Sequence, residues 1–527
     1  MKKTTLLFLT ILMGHLLHAQ SIAINTDGST ADNSSIMDVK STAKGILTPR
    51  MTAVQRSAIL TPATGLLLYD TDSSTFMFYD GSGWVDIIKG NSGKIWKLQG
   101  NTGINPAAHF IGTTDNQPLV FKTNNIQAGK FDPVRTNYFI GRNAGISNTT
   151  AYSVIAIGAD ALRNNTNRNN LVAIGDSALF NNGLGAIVNE AKFNTAIGSK
   201  SLYSNTTGYG NTAIGFEGLR SNINGTNNSA LGYWALRNNT TGESNLAVGS
   251  SALNANTTGK FNVALGAFAL NSSTTAWENT AIGYNSLYQN TTGGLNTAVG
   301  SMAMFFNTTG SYNLASGGSA LFSNTSGSFN TALGFQSMVA NTTGLSNTAT
   351  GAGSLNANTT GSNNSAFGAN VLQSNLTGSQ NAAFGTNALA SNTNGGSNVA
   401  MGYNALYSNT TGIDNIAVGF SSLYANTNGS QNTAVGKNTL AGNGSGGLNN
   451  AFGYAALENN LAGTNNNGFG AFALNSNTGG NNNCGFGNMT LYYNANGNAN
   501  AAFGANALKN NLESNNAAFG SGTLAFL

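Results

Sequence analysis

A glycine returns every 17 residues from Gly198 to Gly504 without a slip. A period of that length with fixed chemistry admits one supersecondary unit stacked many times rather than a globular core. Earlier coils end at Gly141, Gly158 and Gly175, six extra residues between Gly183 and Phe193 shift the frame once, and a last coil one residue short ends at Gly520, which makes 23 repeats. The unit reads Asn-Thr-Ala-Val-Gly-Ser-Met-Ala-Met-Phe-Phe-Asn-Thr-Thr-Gly-Ser-Tyr at 296–312. Seventeen residues are too few for two helices and their turns, whereas two strands of about five residues and two tight turns fit. The fold class expected is therefore all-β, a parallel β-solenoid over 139–527. The five prolines all lie before the repeats, as a continuous hydrogen-bonded ladder requires.

The columns of the repeat assign roles. Four residues before the glycine stands an asparagine in all twenty coils from Asn194 to Asn516. Amides stacked at one strand spacing donate and accept along the axis, so Asn194, Asn211, Asn228, Asn245, Asn262, Asn279, Asn296 and Asn313 are expected to form a structural ladder. The Asn-Thr-Thr-Gly segments, as at 205–208, are expected to supply turn residues that accept positive φ or bond their own backbone. Two residues before the glycine is nearly always alanine, and directly before it a larger apolar residue: Ile214, Leu231, Val248, Leu265, Ile282 and Val299, with phenylalanine in the last coils. Adjacent strand residues face opposite ways, so both faces of this strand are apolar and one coil covers only one. The larger column is therefore expected to be an assembly face between identical chains.

Charged residues make up 8% of the chain, and none occurs between Glu278 and Asp414, against about a quarter in ordinary soluble proteins. The formal net charge of +4 gives no support for nucleic acid as a partner. Residues 1–19, with Lys2, Lys3 and an apolar run from Leu6 to Leu17, read as a secretory leader too short for a membrane span. The mature chain then works outside the cell or at the outer surface of a Gram-negative-type bacterium. Its single cysteine, Cys484, has no intrachain partner.

Residues 20–93 read as a mainly-β module with a meander of Leu66–Tyr69, Thr75–Tyr79 and Trp84–Ile88 and a short helix over Thr52–Ile59. Residues 94–138 read as an adaptor with strand-like pieces at 95–98, 119–122 and 128–131. Catalysis is not expected and no cofactor or metal site is: past the leader only His109 remains, outside the repeats. Asp160, Asp176 and Glu458 do not align on neighbouring coils, and Asp70, Asp72 and Asp80 lack calcium-loop spacing.

The Asn-x-Ala-Ile-Gly-x-x-Ala-Leu frame resembles the head repeats of trimeric autotransporter adhesins. The stretch Ile36–Arg56, with Thr61–Asp72 and Gly112–Lys122, resembles the amino-terminal module of secreted, tail-fibre-like bacterial surface proteins. These resemblances imply a homotrimer and a non-enzymatic adhesin or fibre presenting many weak contacts to glycans or extracellular matrix. A structural spacer explains the repeats equally well. A third reading, a threonine face for ice or another crystalline surface, ranks lower because the column of Thr206, Thr240 and Thr257 is interrupted at Ile223, Ser273 and Leu376.

Overall fold

The computed structural model describes residues 21–87, 103–105, 107 and 110–526; the leader, the expected strand at 95–98 and His109 lie outside them. The chain divides into two compact units, residues 1–112 and 113–527.

In the first unit β1 (Ile22–Ile24) pairs in parallel with β2 (Met37–Val39), a contact the local sequence did not announce. β3 (Arg50–Met51) leads through Thr52 into α1 (Ala53–Ser57). Thr52 starts the helix because its hydroxyl accepts from the Gln55 amide while the Gln55 side chain accepts from the Thr52 amide, a reciprocal cap. β4 (Leu67–Asp70), β5 (Thr75–Tyr79) and β6 (Trp84–Asp86) form the expected antiparallel meander, and β3 adds to its edge in parallel. Its turns are aspartate-made. Asp80 accepts from the amides of Ser82 (2.7 Å) and Gly83 (2.8 Å), and Asp70 from those of Asp72 (2.9 Å) and Ser73 (3.1 Å).

The second unit opens with an antiparallel meander of β7 (Leu119–Thr123), β8 (Ile126–Asp132) and β9 (Asn137–Ile140). β9 then begins a parallel ladder of 23 strands, one per coil, that runs to Ala517–Phe519. The all-β parallel solenoid expected from the period is the fold observed. Each coil, however, holds one strand of three or four residues rather than two of five. The reason is local: in the coil after Gly283, Asn285 (φ 56°) and Leu287 (φ 50°) are left-handed, and Leu295 (φ 58°) turns the chain back. Extended backbone cannot pass through such residues. The turns still bond coil to coil, as where the Leu287 amide meets the Ala303 carbonyl at 3.0 Å and the Thr291 amide the Thr308 carbonyl at 3.0 Å.

The core is a thin column. The alanines two before the glycine (Ala281, Ala298, Ala315) and the leucines or methionines four after it (Leu270, Leu287, Met304) are fully buried, so a short residue from the strand meets a long one from the turn. The frame glycine is obligatory on two counts. At Gly300 φ is +135°, and a Cβ there would lie 2.6 Å from the Gly317 carbonyl oxygen of the next coil. The glycine of Asn-Thr-Thr-Gly serves differently from the expectation. At Gly293 φ is not positive, and glycine is needed because a Cβ would lie 2.6 Å from Asn290 Oδ1 and against the Gly310 carbonyl.

Candidate interaction surface

Asparagine is what makes these coils cohere. Asn296 donates its side-chain amide to Asn279 Oδ1 (3.1 Å) and to the Gly310 carbonyl (2.9 Å), and its own Oδ1 accepts the backbone and side-chain amides of Asn313 at 3.0 and 3.1 Å. The same pattern joins Asn194, Asn211, Asn228, Asn245, Asn262 and Asn279, all buried. These residues hold coils together and present nothing outward.

A second ladder was missed. The asparagine of each Asn-Thr-Thr-Gly segment is equally buried: Asn307 donates to Asn290 Oδ1 (2.7 Å) and Asn324 to Asn307 Oδ1 (2.7 Å), each also holding the carbonyl of its own turn glycine. Strict recurrence of asparagine three before that glycine was the available signal, and it was absorbed by the turn reading. The adjoining threonines are also internal in part. Thr240, Thr257, Thr291 and Thr308 donate their hydroxyls to carbonyls of the next coil at 2.9–3.0 Å. The register also corrects one interruption of that column: Thr257 meets Thr274, so Ser273 belongs to the asparagine column.

Two rows remain outward on the strand: a mixed one three before the frame glycine, with Thr297 and exposed Leu246, Leu314 and Ile416, and the larger apolar one directly before it. Ile214, Leu231, Val248, Leu265, Ile282 and Val299 are paired one to the next in unbroken register. Ile214, Leu231, Ile282 and Val299 are exposed by 36–48%, whereas the alternate alanines point inward. The alternation thus settles which apolar column faces the core. Toward the C-terminus the row becomes a phenylalanine stack: Phe452, Phe469, Phe486, Phe503 and Phe519 lie ring over ring at 4.5–5.1 Å with interplanar angles of 8° or less. Rings stacked along the axis turn their edges to solvent, giving a flat apolar stripe. Cys484 sits in the strand of Phe486, and burial pushes its thiol pKa up.

Among the solenoid carboxylates, Asp160, Glu217 and Glu458 are locally engaged. Asp160 pairs with Arg163 (3.2 Å), Glu217 with Arg237 (2.6 Å) and Arg220 (3.4 Å), and Glu458 accepts from Asn475 (3.0 Å). No group of three or more metal-ligating side chains occurs among the described residues, nor does a helix long and apolar enough to cross a membrane.

Residues 23–103 match the family model of the phage tail like trimerisation region. No curated protein matches the chain. The match and the β-solenoid behind it together suggest a tail-fibre-like structural protein that assembles as a homo-oligomer.

Proposed function

We propose that the chain is a non-enzymatic, secreted or cell-surface fibre protein that works as a homotrimer and binds glycans or matrix through many copies of one weak contact. The observation that carries this reading is the outer apolar row, unbroken in register from Ile214 to Val299, behind a segment matching a trimerisation region. Exposed isoleucine, leucine and valine from Ile214 to Val299, and the phenylalanine stack from Phe452 to Phe519, form two apolar stretches of one row, parted at Ser316 and Thr350, that call for a partner surface. A parallel copy started at the same point supplies it. With that face covered, the surfaces left to solvent are the turns, rich in asparagine, threonine, serine and glycine and carrying exposed aromatic side chains such as Tyr284, Phe329 and Phe335. The adhesin reading, as in trimeric autotransporter heads, rests on that neutral polar surface and its repetition.

Binding through such turns is hydrogen-bonded and nearly insensitive to salt, unlike association driven by charge. It also depends on copy number, so halving the coils lowers avidity more than it lowers area. The test is an array of glycans and matrix proteins probed with the mature protein at low and high salt. Salt-tolerant binding that weakens disproportionately in a half-length form supports adhesion. An array without binding favours the second reading, a spacer in a tail-fibre-like assembly, which the trimerisation match favours in its own right. Polysaccharide cleavage on the array overturns both. The threonine-face reading is the weakest of the three, because the first turn threonines spend their hydroxyls on the neighbouring coil.

A further inference from the structure

The described residues of the first unit bury little apolar surface among themselves. Among them, 21–87, 103–105, 107 and 110–112, Leu68 is the single buried apolar side chain, while Ile36 (80% exposed), Leu47 (81%) and Leu60 (94%) stand in solvent. Isolated exposed leucines are ordinary; a module that leaves so many of its large apolar residues in solvent, the meander's Met77, Phe78, Tyr79 and Trp84 being half-buried, is not. A module of this size is marginal even with a well-filled interior. The meander, the helix cap and the Arg56–Asp70 ion pair fix its local conformation, so what is missing is chiefly apolar contact.

The missing contact has a place. Ile46, Leu47, Thr48, Arg50, Tyr69 and Phe76 line a cavity of about 210 Å³. Its wall is mostly apolar, with Tyr69 and Phe76 packed edge to face at 5.2 Å and the Arg50 guanidinium 5.7 Å from the Tyr69 ring centroid. The Thr48 hydroxyl is buried there without a hydrogen-bond partner, a state native structures rarely leave uncompensated. An apolar groove with one orphaned hydroxyl fits an apolar segment that also brings one polar backbone or side-chain group.

We propose that this groove is closed by a second copy of the same chain, so that the N-terminal module completes its core only on association. The occupant follows from position, since every lining residue lies inside the segment that matches a trimerisation region, and from supply, since each copy offers unburied residues such as Leu60 and Ile36. A three-fold arrangement gives each groove one donor and each donor one groove, so the contact closes without leaving an open end. The proposal rests on the homotrimer reading and adds the contact surface and the coupling of folding to assembly.

The test uses the full mature chain. Mass is followed by light scattering over a dilution series, and hydrogen exchange is read at the Tyr69 amide, which donates to the Pro49 carbonyl at 2.9 Å. The wild type is expected to be trimeric and to lose Tyr69 protection at the same dilution at which it dissociates. Leu47→Asp should raise the dissociation midpoint at least tenfold, and Ile46→Ala should raise it by less. Val188→Asp, at an equally exposed apolar residue of the second unit (79%), should leave it unchanged. A trimeric wild type whose midpoint is indifferent to both groove substitutions overturns the proposal while leaving the trimer intact, and so does Tyr69 protection that survives dissociation, since the module would then hold its fold without a second copy. A monomeric wild type removes the trimer reading itself, and the proposal with it.

Discussion

Asn256 and Ser273 occupy the same position in successive coils, yet no hydrogen bond joins them: Asn256 Oδ1 and Ser273 Oγ are both buried and both without a partner. On either side the ladder is intact, with Asn256 donating to Asn239 Oδ1 at 2.7 Å and Asn307 to Asn290 Oδ1 at 2.7 Å. The serine side chain is one amide too short to reach, so the column breaks there. Ser273→Asn alone would set its Oδ1 against the Cβ of Ala276, which stands where the other coils keep glycine; combined with Ala276→Gly it is expected to restore the ladder and stabilise the surrounding coils by about 1–3 kcal/mol, the scale of satisfying a buried acceptor. Because a solenoid is coupled mainly to nearest neighbours, the gain should appear as slower hydrogen exchange near residues 256–290 and fade beyond. Unchanged exchange there would count against the ladder as a source of cohesion.

The left-handed leucines make a second prediction. Leu287 has φ 50° and is fully buried. The conformation costs roughly 1–2 kcal/mol for a residue with a Cβ, while emptying the site costs about 2–5 kcal/mol. Burial therefore wins, and both Leu287→Ala and Leu287→Gly should destabilise. Their order is the informative part: glycine should be the milder by about 1 kcal/mol, because alanine keeps the strain without the contacts. Denaturant unfolding of the two variants decides it, and alanine proving milder would mean that the left-handed turn is not imposed at this position.

Glycines of the repeat should differ sharply in tolerance. Gly300→Ala meets the Gly317 carbonyl at 2.6 Å with φ +135°, whereas a Cβ at Gly318 makes ordinary contact at 3.4 Å with the Phe335 ring. Strain of about 1–3 kcal/mol adds to overpacking of about 1–3 kcal/mol in the first case. Thermal melting should therefore drop for Gly300→Ala and scarcely move for Gly318→Ala; equal effects would refute the close approach of coils.

Acid should weaken the first unit through Asp70. Burial of its carboxyl would by itself raise the pKa, but the Ser73 amide, the Arg56 guanidinium and the Asp72 amide outweigh it and hold the pKa below the ordinary aspartate value. A depressed folded-state pKa stabilises fully above the unfolded value, about 3.9, and loses that contribution as pH falls through the folded one. Tyr69 amide protection, corrected for intrinsic exchange, should decline below about pH 4, and Asp70→Asn should lower it at neutral pH and flatten its acid dependence. A variant with the wild-type acid profile would assign the effect elsewhere.

Much of this architecture is legible in the chain because stacking writes the same requirement at the same position in coil after coil. The period, the Asn194-to-Asn313 ladder and the alternation of Ala298 with Val299 all followed from two elementary rules, repetition and strand alternation. What escaped was set by conformation that no residue type announces. Leu287 in a left-handed turn has the composition of a strand residue, so two long strands were expected where one short strand and two turns occur. The buried asparagines of the turns, Asn290 and Asn307, were hidden because asparagine suits an exposed turn equally well. In the first unit the meander was readable from its aspartate turns, but the pairing of β1 with β2 joins residues across an irregular loop. The groove beside Tyr69 arises from packing alone.

The central claim is that copies of this chain stand side by side with the Ile214-to-Val299 row between them. Multi-angle light scattering of the mature protein measures this most directly. The account predicts a monodisperse species of three times the mass of one chain, which Ile282→Asp weakens by placing a charge on the covered face. A stable, fully folded monomer with that row left in water would contradict it.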